Sequence, residues 1–236
     1  MGAQLRVFRR RIRSVQATKK ITKAMELIAS SRIVKAQQRL DASMPYLTQL
    51  VDAVSAAASH ASDVSKHPLT AKADKQERAA VLIITADRGL AGAYSTNSIK
   101  EGEALTRNLN DKGMTVLPFV VGRKGVSYYR FRGREMGGEY TGFTDQPSYA
   151  DAKRIGGDLL AAFYGDENQE GGVDEIHVVY THFINMGTQE TRVRRILPLE
   201  VVDEVIEPNE SGMPFPLYEF EPSSEGVLDA LLPRYI

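Results

Sequence analysis

The chain of 236 residues contains no cysteine. That absence excludes a disulfide framework, a thiolate metal site and a cysteine nucleophile. A reducing compartment is compatible with it. Long hydrophobic runs are missing too. The longest, such as Ala79–Ile84, fall far short of the roughly 20 residues a membrane span needs. Any attachment to a membrane must therefore go through a partner. No segment matches G-x-x-x-x-G-K-[ST], so the chain should not hydrolyse ATP by itself. Acid is almost absent from residues 1–40, where Glu26 stands alone. Against it are Arg6, Arg9, Arg10, Arg11, Arg13, Lys19, Lys20, Lys23, Arg32, Lys35 and Arg39, a basic surplus of ten. The whole chain has a formal net charge of zero, so residues 41–236 carry an acidic surplus of ten. A neutral total conceals a dipolar chain whose two ends meet different partners.

At 42% hydrophobic and 25% charged the rest is ordinary globular protein, neither disordered nor collagen-like. From about Ala3 to about Ala61 the pattern predicts one very long helix. Leu5, Phe8, Ile12 and Val15 step by three and four, the spacing of a coiled-coil seam. The stripe resumes at Ile21, Met25 and Ile28, then at Ile33, Ala36, Leu40, Met44, Leu47, Val51 and Val54. Residues 3–44 contain neither Gly nor Pro, and Pro45 should kink the helix without ending it, because the periodicity continues beyond it. Such a helix cannot bury its stripe alone. It needs a partner helix.

Residues 62–77 read as a linker. Beyond them strands alternate with helices: strands over Ala79–Thr85 and Val116–Val121, helices over Thr96–Lys112, Arg123–Arg132 and Ser148–Tyr164, then strands over Ile176–Thr181 and Arg192–Leu199. Continuous apolar strands between helices predict a small α/β sheet covered on both faces. After Glu200 comes an acidic, proline-rich stretch, and Ser223-Ser224-Glu225 opens a last helical pattern through Val227, Leu228, Leu231 and Leu232.

Few residues suggest chemistry. TADRGLAGAY (Thr85–Tyr94) follows a strand but lacks the second glycine of G-x-G-x-x-G, and reads as a strand-end turn in which Asp87 and Arg88 bond the loop backbone. His177 and His182, five apart on a strand, project to opposite faces. Asp174-Glu175 and Asp166-Glu167 read as solvated acids. No metal, cofactor or catalytic set is assigned. The basic helix is the unusual feature: its charges repel one another at i,i+4 spacing, which an acidic partner surface would relieve. Nucleic acid, anionic lipid and an acidic protein surface all fit that description. A cleaved transit peptide fits an Arg-rich start, but the uninterrupted stripe argues against cleavage.

At KKITKAMELIASSRIVKAQ (Lys19–Gln37) the chain resembles the gamma subunits of F-type ATP synthases, the central rotor stalk. The likeness continues through MPYL (Met44–Leu47), TADRGLAGAYSTN (Thr85–Asn97), VGRKG (Val121–Gly125), TGFTDQPSY (Thr141–Tyr149), LPLE (Leu197–Glu200) and YEFEPSSEGVLDALLPRYI (Tyr218–Ile236). It covers the chain in order from near residue 2, leaving no room for a transit peptide, and is most similar to actinobacterial forms. Ala91 stands where the family's DRGLCG turn has cysteine.

The resemblance implies a fold and a set of partners. The fold is a long N-terminal coiled-coil helix (1–61), a linker (62–77), a small Rossmann-like α/β foot (78–210), and a linker with the start of a C-terminal shaft helix (211–236). In the family that last helix runs several tens of residues further and pairs with the first, so here it is cut short and the stripe from Leu5 to Met44 is expected to be exposed and self-associating. Implied partners are the alpha, beta, epsilon and delta subunits and the membrane c-ring, at the cytoplasmic face of a bacterial plasma membrane, with no nucleic acid and no cofactor. Arg9, Arg13, Lys19, Lys20, Lys23, Met25 and Glu26 are implied to face the alpha/beta ring, and Tyr218 and Glu221 the c-ring and epsilon. A binder of nucleic acid using the basic helix is the competing reading.

Overall fold

A computed structural model describes residues 2–61, 64–73, 75–165, 172–200, 220–221 and 223–235. The chain divides into two compact units, Met1–Ala56 with Tyr235 and Ala57–Arg234 with Ile236.

The expected long helix is present as α1, Gly2–His60, 59 residues without a break. At 1.5 Å per residue it is about 90 Å long. It passes through Pro45. A proline there costs about 3 kcal/mol, yet the helix-favouring sequence on either side carries the helix past the missing N–H.

The second unit is built on a five-stranded sheet in the order β3-β2-β1-β4-β5. β1 (Arg78–Ile84) is central, with β2 (Thr115–Val121) and β4 (Glu175–Asn185) parallel to it on either side. β3 (Gly138–Tyr140) extends β2 in parallel, and β5 (Thr188–Leu197) returns antiparallel to β4. The register aligns Ile83 with Val120 and Val179. With Val81 and Ala79 these residues form one face of the core, closed by Leu109 of α2 (Tyr94–Asp111) and by Val126 and Tyr129 of α3 (Arg123–Phe131). Ala80 and Leu82 alternate to the opposite face and are buried as well, so both faces are covered, as a run of apolar residues without alternation requires. α2 sits close to β1 because Gly102 faces Ile83, whose Cδ1 would lie 2.7 Å from a Cβ at that position.

α4 (Tyr149–Tyr164) packs on β4. It opens with a reciprocal cap: Ser148 Oγ accepts from the Asp151 backbone N–H while the Asp151 carboxylate accepts from that of Ser148. α5 (Ser224–Tyr235) starts where the serine pair predicted, the Ser223 hydroxyl accepting from the Gly226 N–H at 3.1 Å. Within this unit α5 is fastened by His67 to Asp229 (2.9 Å) and by the Ser224 hydroxyl, which donates to the His60 carbonyl. Residues 64–71 pack in the same unit, with Leu69 fully buried and its carbonyl accepting from Leu199 N–H.

Candidate subunit interface

α1 presents an uncovered surface over most of its length. Leu5, Phe8, Ile12, Val15, Ile21, Met25 and Ile28 are all exposed, and burial begins only near its end, at Leu50. Arg9, Arg13, Lys19, Lys20, Lys23, Met25 and Glu26 all lie on this helix and are all exposed. The helix brings Arg9 and Arg13 one turn apart, and likewise Lys19 and Lys23. Among the described residues none of the eleven basic side chains has a carboxylate within 4 Å, Glu26 included. Some 59 residues of helix thus combine apolar side chains, which gain about 25 cal/mol per Å² when covered, with positive charge that nothing in the described chain neutralises. Of the two residues expected at the far end of the molecule, Tyr218 lies outside the described residues. Glu221 is exposed beside Phe220, whose ring meets the His60 imidazole at 5.4 Å.

The TADRGLAG turn has a different structural role. The Asp87 carboxylate accepts from the backbone N–H groups of Arg123 (3.0 Å), Gly142 (2.8 Å) and Thr144 (3.0 Å), and from the Thr144 hydroxyl (2.9 Å). Burial alone would raise its pKa, but these four donors outweigh it and hold the carboxyl at about 2. One side chain therefore ties together the loops that follow β1, β2 and β3. The bond from Arg123 also places a carboxylate at the N-terminus of α3, where the helix dipole favours negative charge. Thr85 completes the junction: its hydroxyl donates to the Val121 carbonyl (2.6 Å) and accepts from Gly125 N–H (3.0 Å). Gly122 is required there, since it adopts φ +91° and a Cβ would lie 2.4 Å from the Thr85 carbonyl oxygen. Arg88, expected to bond the loop backbone, instead pairs with Asp145, Nε to Oδ2 at 2.6 Å.

The expectation that Asp174 and Glu175 are merely solvated acids is overturned. Asp174 accepts from the N–H groups of Glu77 and Arg78, anchoring the start of β1. Glu175 is buried at the start of β4 and bonds His177 Nε2 at 2.8 Å, with Arg195 of β5 at 3.5 Å from its other oxygen. Arg195 in turn bonds Glu200. A charge inside a sheet requires such pairing, and the cationic partner Arg195 lies on another strand, out of sight of sequence spacing. Asp166 and Glu167 fall outside the described residues.

A family model for ATP synthase matches residues 4–236. ATP synthase gamma chains of the actinobacteria Kineococcus radiotolerans and Acidothermus cellulolyticus are each 58% identical over 236 residues, covering all of this chain and 77% of each relative. The chain belongs to the ATP synthase gamma-chain family. The gamma chain of Streptomyces coelicolor is 55% identical over 239 residues, covering all of this chain and 76% of that relative. The fold is also that of the central stalk in the cryo-EM structure of Tetrahymena thermophila mitochondrial ATP synthase. That match has TM-score 0.61 and 20% identity, over 91% of this chain and 87% of that one. A gamma chain is a non-catalytic subunit of ATP synthase. Nothing in these relatives supports the nucleic-acid reading of the basic helix. Among the described residues no helix is long and apolar enough to cross a membrane.

Proposed function

We propose that the chain works as the central rotor stalk of a proton-transporting ATP synthase, coupling rotation of a membrane c-ring to nucleotide-state changes in catalytic beta subunits. One observation carries the reading: in a chain of the gamma family, a 59-residue helix leaves both its apolar side chains and its basic charges uncovered. Arg9, Arg13, Lys20 and Lys23 face acidic segments of the alpha/beta ring, and Met25 supplies apolar contact beside them. The α/β unit, together with Tyr218 and Glu221, forms the end that meets epsilon and the c-ring, and delta completes the catalytic sector. The complex stands at the cytoplasmic face of a bacterial plasma membrane, and the chain reaches the membrane only through partners.

The mechanism asks for no reacting group here. An asymmetric stalk touches three chemically identical beta subunits differently. Only such differential interaction energy can bias them toward different states. Rotation then passes the bias from one beta subunit to the next. The test is assembly: the chain, mixed with alpha and beta subunits and nucleotide, should co-purify with them and raise their ATPase activity. Failure of any complex to form contradicts the reading.

A further inference from the structure

An unbroken α1 allows its seam to be counted straight through, and the count separates residues that periodicity alone runs together. With Leu5 and Phe8 as heptad positions a and d, the same frame reaches Leu50, Val54 and Ala57 without a skip. Leu50 and Ala57 are buried and Val54 is half-buried, while Val51, Asp52 and Ser55 between them are exposed. The frame that starts at Leu5 is thus the one already covered at the other end of the helix.

That frame places Lys19, Thr22 and Glu26 at three successive a and d positions, between apolar pairs at Ile12–Val15 and Ile33–Ala36. Ile21, Met25 and Ile28 lie roughly a quarter to a third of a turn away around the helix. They do not continue the seam, because the steps from Val15 to Ile21 and from Ile28 to Ile33 are six and five residues. A seam following them would have to swing round and back within about five turns, unwinding and overwinding the pair locally, which the frame from Leu5 does not require. The flanking e and g positions carry Arg9, Arg11, Lys23, Arg32 and Arg39 and no acid. Charge complementarity therefore specifies an occupant: an α-helix with acids at its own flanks.

We infer that Lys19, Thr22 and Glu26 form a polar layer inside the stalk's helix pair, facing that acid-flanked helix, while Ile21, Met25 and Ile28 turn outward as the apolar patch that meets the surrounding subunits. The inference rests on the rotor reading and refines it: Lys19 and Glu26 move from the ring-facing side to the seam, and Arg9 and Lys23 to its flanks, leaving Arg13 and Lys20 to face the ring. Polar residues in an otherwise apolar seam cost stability and fix register. Here they set which turns of the two helices lie opposite one another where the outward patch engages the ring.

Because the chain has no cysteine, single introduced cysteines report one position each. Maleimide labelling is followed in ATP synthase assembled around the chain, and again in the stalk after alpha and beta subunits are removed. Lys19→Cys, Thr22→Cys and Glu26→Cys should react at least about tenfold more slowly than Ala24→Cys in the freed stalk, because access limits a covered thiol. Ile21→Cys, Met25→Cys and Ile28→Cys should be slow in the complex and speed up when alpha and beta leave. Seam positions reacting as fast as Ala24→Cys in the freed stalk overturn the polar layer. A second set indifferent to alpha and beta overturns the outward patch and the ring contact itself, while the seam positions still decide the layer.

Discussion

Asp87 shows how much one side chain can hold. From the loop after β1, its carboxylate takes four hydrogen bonds from two other loops, and its pKa lies at about 2 against an ordinary 3.8. The folded value is depressed, so the stabilisation is present above about pH 4 and lost as pH falls through about 2. At neutral pH it amounts to about 2 kcal/mol. Asp87→Asn should lower stability by about that much at pH 7, and by clearly less near pH 2, as measured by chemical denaturation. Equal losses at the two pH values would contradict the assignment. The sequence marked Asp87 as a turn residue bonding loop backbone. It could not show which loops, because Gly142 and Thr144 lie more than 50 positions away. Glu175 was less legible still: an acid at a strand start reads as solvated until His177 and Arg195 are seen around it.

At the scale of elements, legibility followed signal strength. α1, β1 and β2 carry long runs of one period and were readable from the residues. β3 is Gly-Glu-Tyr, three residues held by pairing with Phe119–Val121 of β2, and no local pattern announces it. The β4–β5 hairpin is longer than expected, since its turn is made by the Asn185 side chain accepting from the N–H groups of Gly187 and Thr188, with exposed Phe183 and Ile184 leading into it. α1 itself supports two predictions. Its apolar stripe is exposed, and burial of such a surface is favourable, so the isolated chain should self-associate in sedimentation; a monomer at every concentration tested would contradict that. Its outward basic side chains should attract acidic ring segments, so Arg13→Glu with Lys20→Glu should impair ATP-driven proton pumping while circular dichroism shows the α/β unit still folded. Normal pumping in that variant would show those charges to be dispensable.

At the scale of the whole molecule, the charge split visible in the composition separates a basic helix without described ion-pair partners from an α/β unit stitched by internal pairs such as Arg134–Glu103 and Arg130–Glu139. The rotor reading requires this chain to turn inside its complex. A bead attached through Arg107→Cys, on the exposed side of α2, in ATP synthase with immobilised beta subunits tests it most directly. Rotation in one direction is expected while ATP is hydrolysed. A bead that stays still while the same complexes hydrolyse ATP would contradict it.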